Sequence, residues 1–341
     1  MSEFTQTKVS QENGFAEPSV SLDKNGNEAE NRRLFAFIDK NSIESEKITA
    51  PRYSYWKSVF RVFFKKKINY VLIALFILIF LGAFIVPIFA KYEAFENVID
   101  TKSYHLSPIK AMRKFGVSFK YLLGTGEHGK SIFYAVFSSA QTSLKLAMIC
   151  AAINMTIGIL LGAVWGYSKR FDQVMLVIYN IIANVPDILL ISVLVYIIGS
   201  GFWPFVFALT VTGWLGISYF FRTQVLIIRD REYSLASRCL GTPIPRMIGK
   251  NILPFLTSVT VTLLATELPK YISLEMFLSY IGVGLSANVP SLGRMIQESQ
   301  SVWTIYPWEF WPPVAIASAI TIILYVLGQN LADATDPRTH M

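Results

Sequence analysis

Residues 70–90 read YVLIALFILIFLGAFIVPIFA, from Tyr70 to Ala90, with no charged side chain anywhere in the run. A helix rises 1.5 Å per residue, so about 20 apolar residues cross the hydrocarbon layer of a bilayer. A surface helix of a soluble protein keeps a polar face on every turn, and this stretch has none. It therefore predicts a membrane span. Comparable blocks predict further spans at about Leu144–Tyr167, Val174–Ser200, Phe202–Phe221, Phe255–Leu285 and Trp311–Leu331. The third holds Asn180, Asn184, Pro186 and Asp187 inside it, and the fifth is expected to break at Pro269. The fold expected is an all-α integral membrane protein with six transmembrane helices.

Composition agrees. Of 341 residues, 53% are hydrophobic and 16% charged, with a mean hydropathy of +0.44. Ordinary soluble domains carry about 25% charged residues. The net charge of +8 would point to nucleic acid in a soluble protein. Here the basic residues flank the apolar blocks, as the topology rule requires, so no nucleic-acid partner is expected. Cys150 lies in an apolar block and Cys239 in a basic loop, which gives no disulfide or metal pattern. His105, His128 and His340 form no ligand cluster. The first apolar block begins too far along the chain for a cleaved secretory signal and reads as a permanent anchor.

Working outward, residues 1–50 are polar and read as a flexible cytoplasmic tail. Residues 51–69, opening PRYSYWKSVFRVFFKKK, mix aromatic with basic side chains and read as an amphipathic segment lying on membrane lipid. Lys and Arg place this stretch on the inner side. Lys169 and Arg170 put the loop after the second span there too, as do Arg222, Arg229, Arg231, Arg238, Arg246 and Lys250 for the loop after the fourth. Residues 91–135 fall outside despite seven basic residues, Lys91, Lys102, Lys110, Arg113, Lys114, Lys120 and Lys130. Charge counts lose weight in long loops. Both termini, including 333–341, are then cytoplasmic. The core spans 136–332, with a cytoplasmic loop at 222–254.

One motif misleads. Gly124–Ser131, GTGEHGKS, matches the P-loop pattern G-x-x-x-x-G-K-[ST]. A P-loop needs a buried strand before it and a parallel sheet around it, and residues 91–135 have no room for either. We read it as a glycine-permitted turn ahead of a helix.

The loop between spans four and five reads REYSLASRCLGTPIPRMIGKNILP, Arg231 to Pro254. It offers a short helical piece, a glycine, a proline-containing turn and a second basic helical piece. This stretch resembles the coupling motif of ABC importer permeases, E-A-A-x-x-x-G followed by I-x-x-x-x-L-P. Leu235, Ala236, Ser237, Gly241, Ile248, Leu253 and Pro254 carry the match, with Leu235 in the place of the glutamate and Asn251 where a histidine is common. Glu232 through Gly241 is similar to the E-[FY]-V-L-A-A-R-A-L-G of the peptide branch. The likeness extends to Leu123-Gly124-Thr125 with Gly129, to Gly162–Tyr167, to Asn184–Asp187, to Ser273–Gly284, and to Asp333 with Asp336-Pro337-Arg338. It covers about residues 51 to 340. Together these identify the chain as a member of the oligopeptide/dipeptide ABC importer permeases, C-type.

The resemblance implies one N-terminal span plus a five-helix type I permease core. It implies four kinds of partner: a second, B-type permease, two cytosolic ATP-binding subunits, an extracellular peptide-binding protein, and membrane lipid. ATP and magnesium would be used by the ATP-binding subunits, so this chain needs no cofactor and no metal and is not an enzyme. The loop would transmit force, with small residues allowing close approach and Gly241 allowing a sharp turn. Glu267, Lys270 and Glu275 stand in span five, where charge is expensive and faces a cavity or a partner. With Asn184 and Asp187 they are the candidate pathway-lining residues. Glu267 and Lys270 are three apart and can pair. A structural ion pair against the partner permease is equally compatible with them. Two other readings stay open: the same machinery carrying nickel chelates or sugars, and a secondary transporter independent of any ATPase.

Overall fold

Short backbone units in a lipid layer must satisfy their own hydrogen bonds, and a helix does so within one segment. The computed structural model describes residues 54–89 and 103–335, and every long element in it is a helix. Among the described residues, β pairing is limited to one isolated bridge, Thr125 to Ser131. The tail at 1–50, the basic residues Arg52, Lys91 and Lys102, and the ending with Asp336-Pro337-Arg338 and His340 lie outside the described residues.

Helix α1 covers Tyr55–Lys65 and α2 covers Ile68–Phe89. An outer segment follows, with α3 at Pro108–Phe115 and two 3₁₀ turns at Phe119–Tyr121 and Glu127–Gly129. Then come α4 (Ile132–Tyr167), α5 (Lys169–Ala183), α6 (Asp187–Ile198), α7 (Phe202–Arg229) and α8 (Glu232–Cys239). The chain closes with α9 (Thr257–Tyr280), α10 (Leu292–Ser299) and α11 (Pro307–Thr335). Five of the helical stretches are long and apolar enough to cross a membrane, six if α5 and α6 count as one bent span.

Four expectations need correction. The second span starts at Ile132 rather than Leu144, so the expected core boundary between 135 and 136 falls inside a helix. Its polar first half hides from a hydropathy reading because Ser138, Ser139 and Ser143 are buried against other helices, not lipid. The third span is two helices bent by 80° at residues 184–186. Pro186 lacks an N–H and forces its predecessor out of helical geometry, which ends α5 at Ala183. The fifth span does not break at Pro269; α9 runs through it. The carbonyl that Pro269 leaves free belongs to Ala265. Gly328 of α11 packs against it so closely that a Cβ there would lie 2.8 Å from the Ala265 oxygen. Helix α10, between spans five and six, had no counterpart in the sequence reading.

The false P-loop is a turn. Gly124 takes φ +84°, and the Thr125–Ser131 bridge closes a short loop that delivers the chain into α4. Thr125 Oγ1 donates to the Ser103 carbonyl at 2.7 Å. His105 Nδ1 meets Glu309 Oε1 at 2.7 Å and stacks on Tyr306 at 4.2 Å, tying this segment to the start of α11.

The core is organised around α4 and α7, the most extensively packed helix pair. Lipid tails are as apolar as leucine, so membrane helices associate through close packing, helped by small residues. Gly158, Gly162 and Gly166 form a seam along α4. A Cβ at Gly162 would fall 2.5 Å from the Ser218 carbonyl oxygen, and one at Gly166 would fall 2.7 Å from that of Arg222. Ser218 Oγ donates to the Gly158 carbonyl at 3.1 Å across the seam. Asn154 Nδ2 adds a polar joint, donating to the Tyr271 hydroxyl of α9 at 2.6 Å.

Gly162→Ala is therefore expected to lower the thermal unfolding midpoint of the detergent-solubilised chain, at a cost of about 1–3 kcal/mol from overpacking. Gly216→Ala on α7, with open space around it, is expected to leave the midpoint unchanged or slightly raised. Equal effects at the two glycines would contradict the seam.

Candidate functional site

The seam sets where α7 ends, and α7 sets where the loop at 231–254 begins. At its last turn the buried Arg229 donates through Nη1 to the Gly166 carbonyl of α4 at 2.9 Å. The Arg229 guanidinium also meets Asp230 and holds that carboxyl below the usual carboxylate range. Ser234, fully buried, donates to the Ile228 carbonyl at 2.9 Å and pins the start of α8 to the end of α7.

Helix α8 spans Glu232–Cys239, and Gly241 beyond it takes φ +74°. That left-handed conformation suits glycine and closes the helix sharply. Helical turns resume at Ile244–Arg246, widen to a π-helical turn at Met247–Ile252, tighten at Leu253–Leu256, and run into α9. Met247, Ile248, Ile252 and Leu256 bury against Met155, Ala163, Ile217, Phe221, Val225 and Ile228. Leu253 packs against the same cluster. The return limb is thus rooted between α4 and α7.

The outgoing limb is held to it at few points. Asn251 Nδ2 donates to Ser237 Oγ at 2.9 Å. The Tyr233 and Phe255 rings sit 5.1 Å apart, and the Arg238 guanidinium lies 5.2 Å over the Tyr167 ring. Glu232, Ala236 and Gly241 are exposed, as is Pro254. Leu235, Leu240 and Ile244 also face outward, Leu240 at 86% exposure. The hairpin therefore combines an exposed edge of apolar and small residues with a root buried in the bundle.

The membrane charges divide into two groups. Glu275 has no exposed surface and is enclosed within the chain. Ser143 Oγ of α4 donates to its Oε2 at 2.8 Å, and Ser279 Oγ donates to its Oε1 at 2.9 Å. Ser143 Oγ in turn accepts from the Leu292 N–H at 3.2 Å, so one carboxyl joins α4, α9 and α10. Glu267 is also buried and meets Lys270 Nζ at 3.1 Å, while the Lys270 side chain keeps half its surface exposed. Asn184 and Asp187 are exposed at the α5–α6 bend, and Asp187 opens α6.

Sequence reasoning missed several partners. Ser143 fell outside the expected span. Ser234 was not among the residues singled out in the loop. The Asp172–Arg222 ion pair, which closes α5 onto α7, joins residues far apart in sequence. Among the residues singled out beforehand, Asn251 bonds to Ser237 and Lys270 to Glu267.

Residues 155–341 match the family described as binding-protein-dependent transport system inner membrane component. Residues 54–108 match the N-terminal TM domain of oligopeptide transport permease C. The chain is 43% identical over 309 residues to the oligopeptide transport system permease protein AmiD of Streptococcus pneumoniae, covering 91% of this chain and 98% of that one. It is 30% identical to the oligopeptide transport system permease protein OppC of Bacillus subtilis, over 90% of this chain and 97% of that one. It is also 30% identical to the dipeptide transport system permease protein DppC of the same organism, over 89% and 92%.

Gly241→Ala is expected to destabilise the hairpin by about 1–2 kcal/mol, because a left-handed backbone disfavours a Cβ even with open space around it. Gly241→Asn should lose less. Limited proteolysis within 231–254 reads the difference, and equal cleavage of both variants and the parent would contradict the strained turn.

The transmembrane helices, the rooted hairpin and these matches together place the chain in the family of binding-protein-dependent transport system inner membrane components.

Proposed function

We propose that this chain is one of two permease subunits of an ATP-driven importer of peptides, and that the 231–254 hairpin couples it to ATP hydrolysis in separate cytosolic subunits. The observation that carries the reading is the hairpin itself: an exposed edge of Leu235, Ala236, Leu240 and Ile244 on a root buried between α4 and α7. A chain without an ATPase of its own needs such a lever. Closure of a paired ATPase would push α8, and the root at Met247–Leu256 would pass that motion into α4, α7 and α9. The names of its relatives, oligopeptide and dipeptide permeases, support peptide as cargo.

In this reading the second permease completes the passage and an extracellular peptide-binding protein delivers cargo. The basic residues of the hairpin and of 57–67 face the cytoplasm, with both termini on that side. Lys270, Asn184 and Asp187 have surface to offer a passing peptide. Glu267 orients Lys270, and Glu275 holds α9 and α10 in place rather than touching cargo.

Tagged chain purified from native membranes in mild detergent should bring down a second permease and two ATP-binding subunits, identified by mass spectrometry. Leu240→Glu alters an exposed side chain, so the fold should survive. It should keep the second permease and lose the ATP-binding subunits at least tenfold, as charging an apolar contact centre does. Recovery of the chain alone, or full retention of the ATP-binding subunits by the variant, would overturn the proposal.

A further inference from the structure

Helix α1 carries three side-chain stripes. A helix turns about 100° per residue, so residues four apart drift slowly around its axis. Val59 and Phe63 face inward and bury against Ala334 near the end of α11. The next sector holds Trp56, Phe60 and Phe64, which are 45%, 53% and 36% exposed. Their rings follow one another at 6.5 and 6.4 Å. The sector beyond holds Lys57, Arg61 and Lys65, all exposed, and among the described residues none of the three forms an ion pair.

The aromatic stripe does not stop at the end of α1. Phe64 and Tyr70 lie 5.2 Å apart across the Lys66-Lys67 break. Tyr70 starts an exposed face on α2 that continues through Val71, Leu75 and Leu78. A helix this apolar, in a chain of this family, has its exposed face in lipid. The three aromatic rings extend the same surface to the interface, where amphipathic rings settle. The basic stripe beside them then lies at headgroup level, where cations meet phosphate oxygens.

We propose that the outer face of α1 is a docking surface for anionic phospholipid headgroups, with Trp56, Phe60 and Phe64 inserted and Lys57, Arg61 and Lys65 on the phosphates. The helix is positioned to pass that contact on. Lys66 Nζ donates to Asn330 Oδ1 at 2.8 Å and meets Asp333 Oδ2 at 3.0 Å. Asn330 Nδ2 donates to Asn69 Oδ1 at 2.6 Å, and the Tyr55 hydroxyl donates to the Thr335 carbonyl at 3.0 Å. Lipid that fixes α1 thereby steadies the last turns of α11. The inference rests on the membrane placement alone and is independent of cargo and of the ATPase.

The test reconstitutes the full chain in nanodiscs of phosphatidylcholine, or of phosphatidylcholine mixed equally with phosphatidylglycerol. Backbone hydrogen exchange across residues 55–65 is read by mass spectrometry, with residues 132–167 as the folding control. Each basic residue near an anionic surface contributes roughly a fivefold gain in binding. Exchange at 55–65 should slow by about tenfold or more in the anionic discs. The variant Lys57→Gln/Arg61→Gln/Lys65→Gln should lose that difference, while Trp56→Ala/Phe60→Ala should exchange faster in both discs. Equal exchange in the two lipids, or a lipid effect that survives the triple variant, would overturn the proposal. Protection that arises only when the second permease is co-reconstituted, whatever the lipid, would give the face to a protein partner and overturn it as well.

Discussion

The close approach of α4 and α7 is the constraint on which the other parts depend. In lipid, apolar side chains gain nothing by leaving the hydrocarbon, so helices hold together by contact and by hydrogen bonds between them. Glycines at 158, 162 and 166 let the two backbones meet, and side chains of α7 then bond to the bared α4 carbonyls, Ser218 Oγ to Gly158 and Arg229 Nη1 to Gly166. That second bond lies at the point where the membrane bundle hands over to the 231–254 hairpin. The geometry of the hairpin is thus fixed by the same seam that fixes the core. Glu275 plays the corresponding part nearer the other end, one carboxyl serving α4, α9 and α10.

This arrangement divides the hairpin into a buried root and an exposed limb. The hairpin root shares a buried cluster with α4 and α7, which is what the proposed coupling of α8 to the bundle requires. Among the described residues, the outgoing limb is tied by Ser234, by the Asn251–Ser237 bond and by the ring contacts of Tyr233 and Arg238. Its exposed leucines are left for another surface. At the same end, α1 is locked to α11 through Lys66, Asn69 and Asn330, while its aromatic and basic stripes stay open.

Much of this was legible in the sequence, for physical reasons. A span such as Tyr70–Ala90 faces lipid on most sides, so its hydropathy is unbroken and its limits come out within two residues of Ile68–Phe89. Gly241 was readable because only a few residues tolerate the backbone that a sharp turn demands. What stayed hidden was burial by protein rather than by lipid. Ser138, Ser139 and Ser143 made the first half of α4 look extramembranous, although all three point into the bundle. Pro186 and Pro269 look alike in sequence; one ends a helix and the other sits inside one, where Gly328 packs closely against the carbonyl that Pro269 frees. The enclosure of Glu275 depends on Ser143, which is distant in sequence and carries no signal of its own.

The central claim, that α8 is the contact for a cytosolic ATPase, can be tested on a native side chain. Cys239 is exposed on α8 and Cys150 is buried in α4, so a membrane-impermeant maleimide reports on Cys239. Labelling is measured in inside-out membrane vesicles, first with the chain and the second permease alone and then with the ATP-binding subunits present. The account predicts rapid labelling in the first case and at least tenfold slower labelling in the second, with none in right-side-out cells. Equal labelling with and without the ATP-binding subunits, or labelling from the outside, would contradict it.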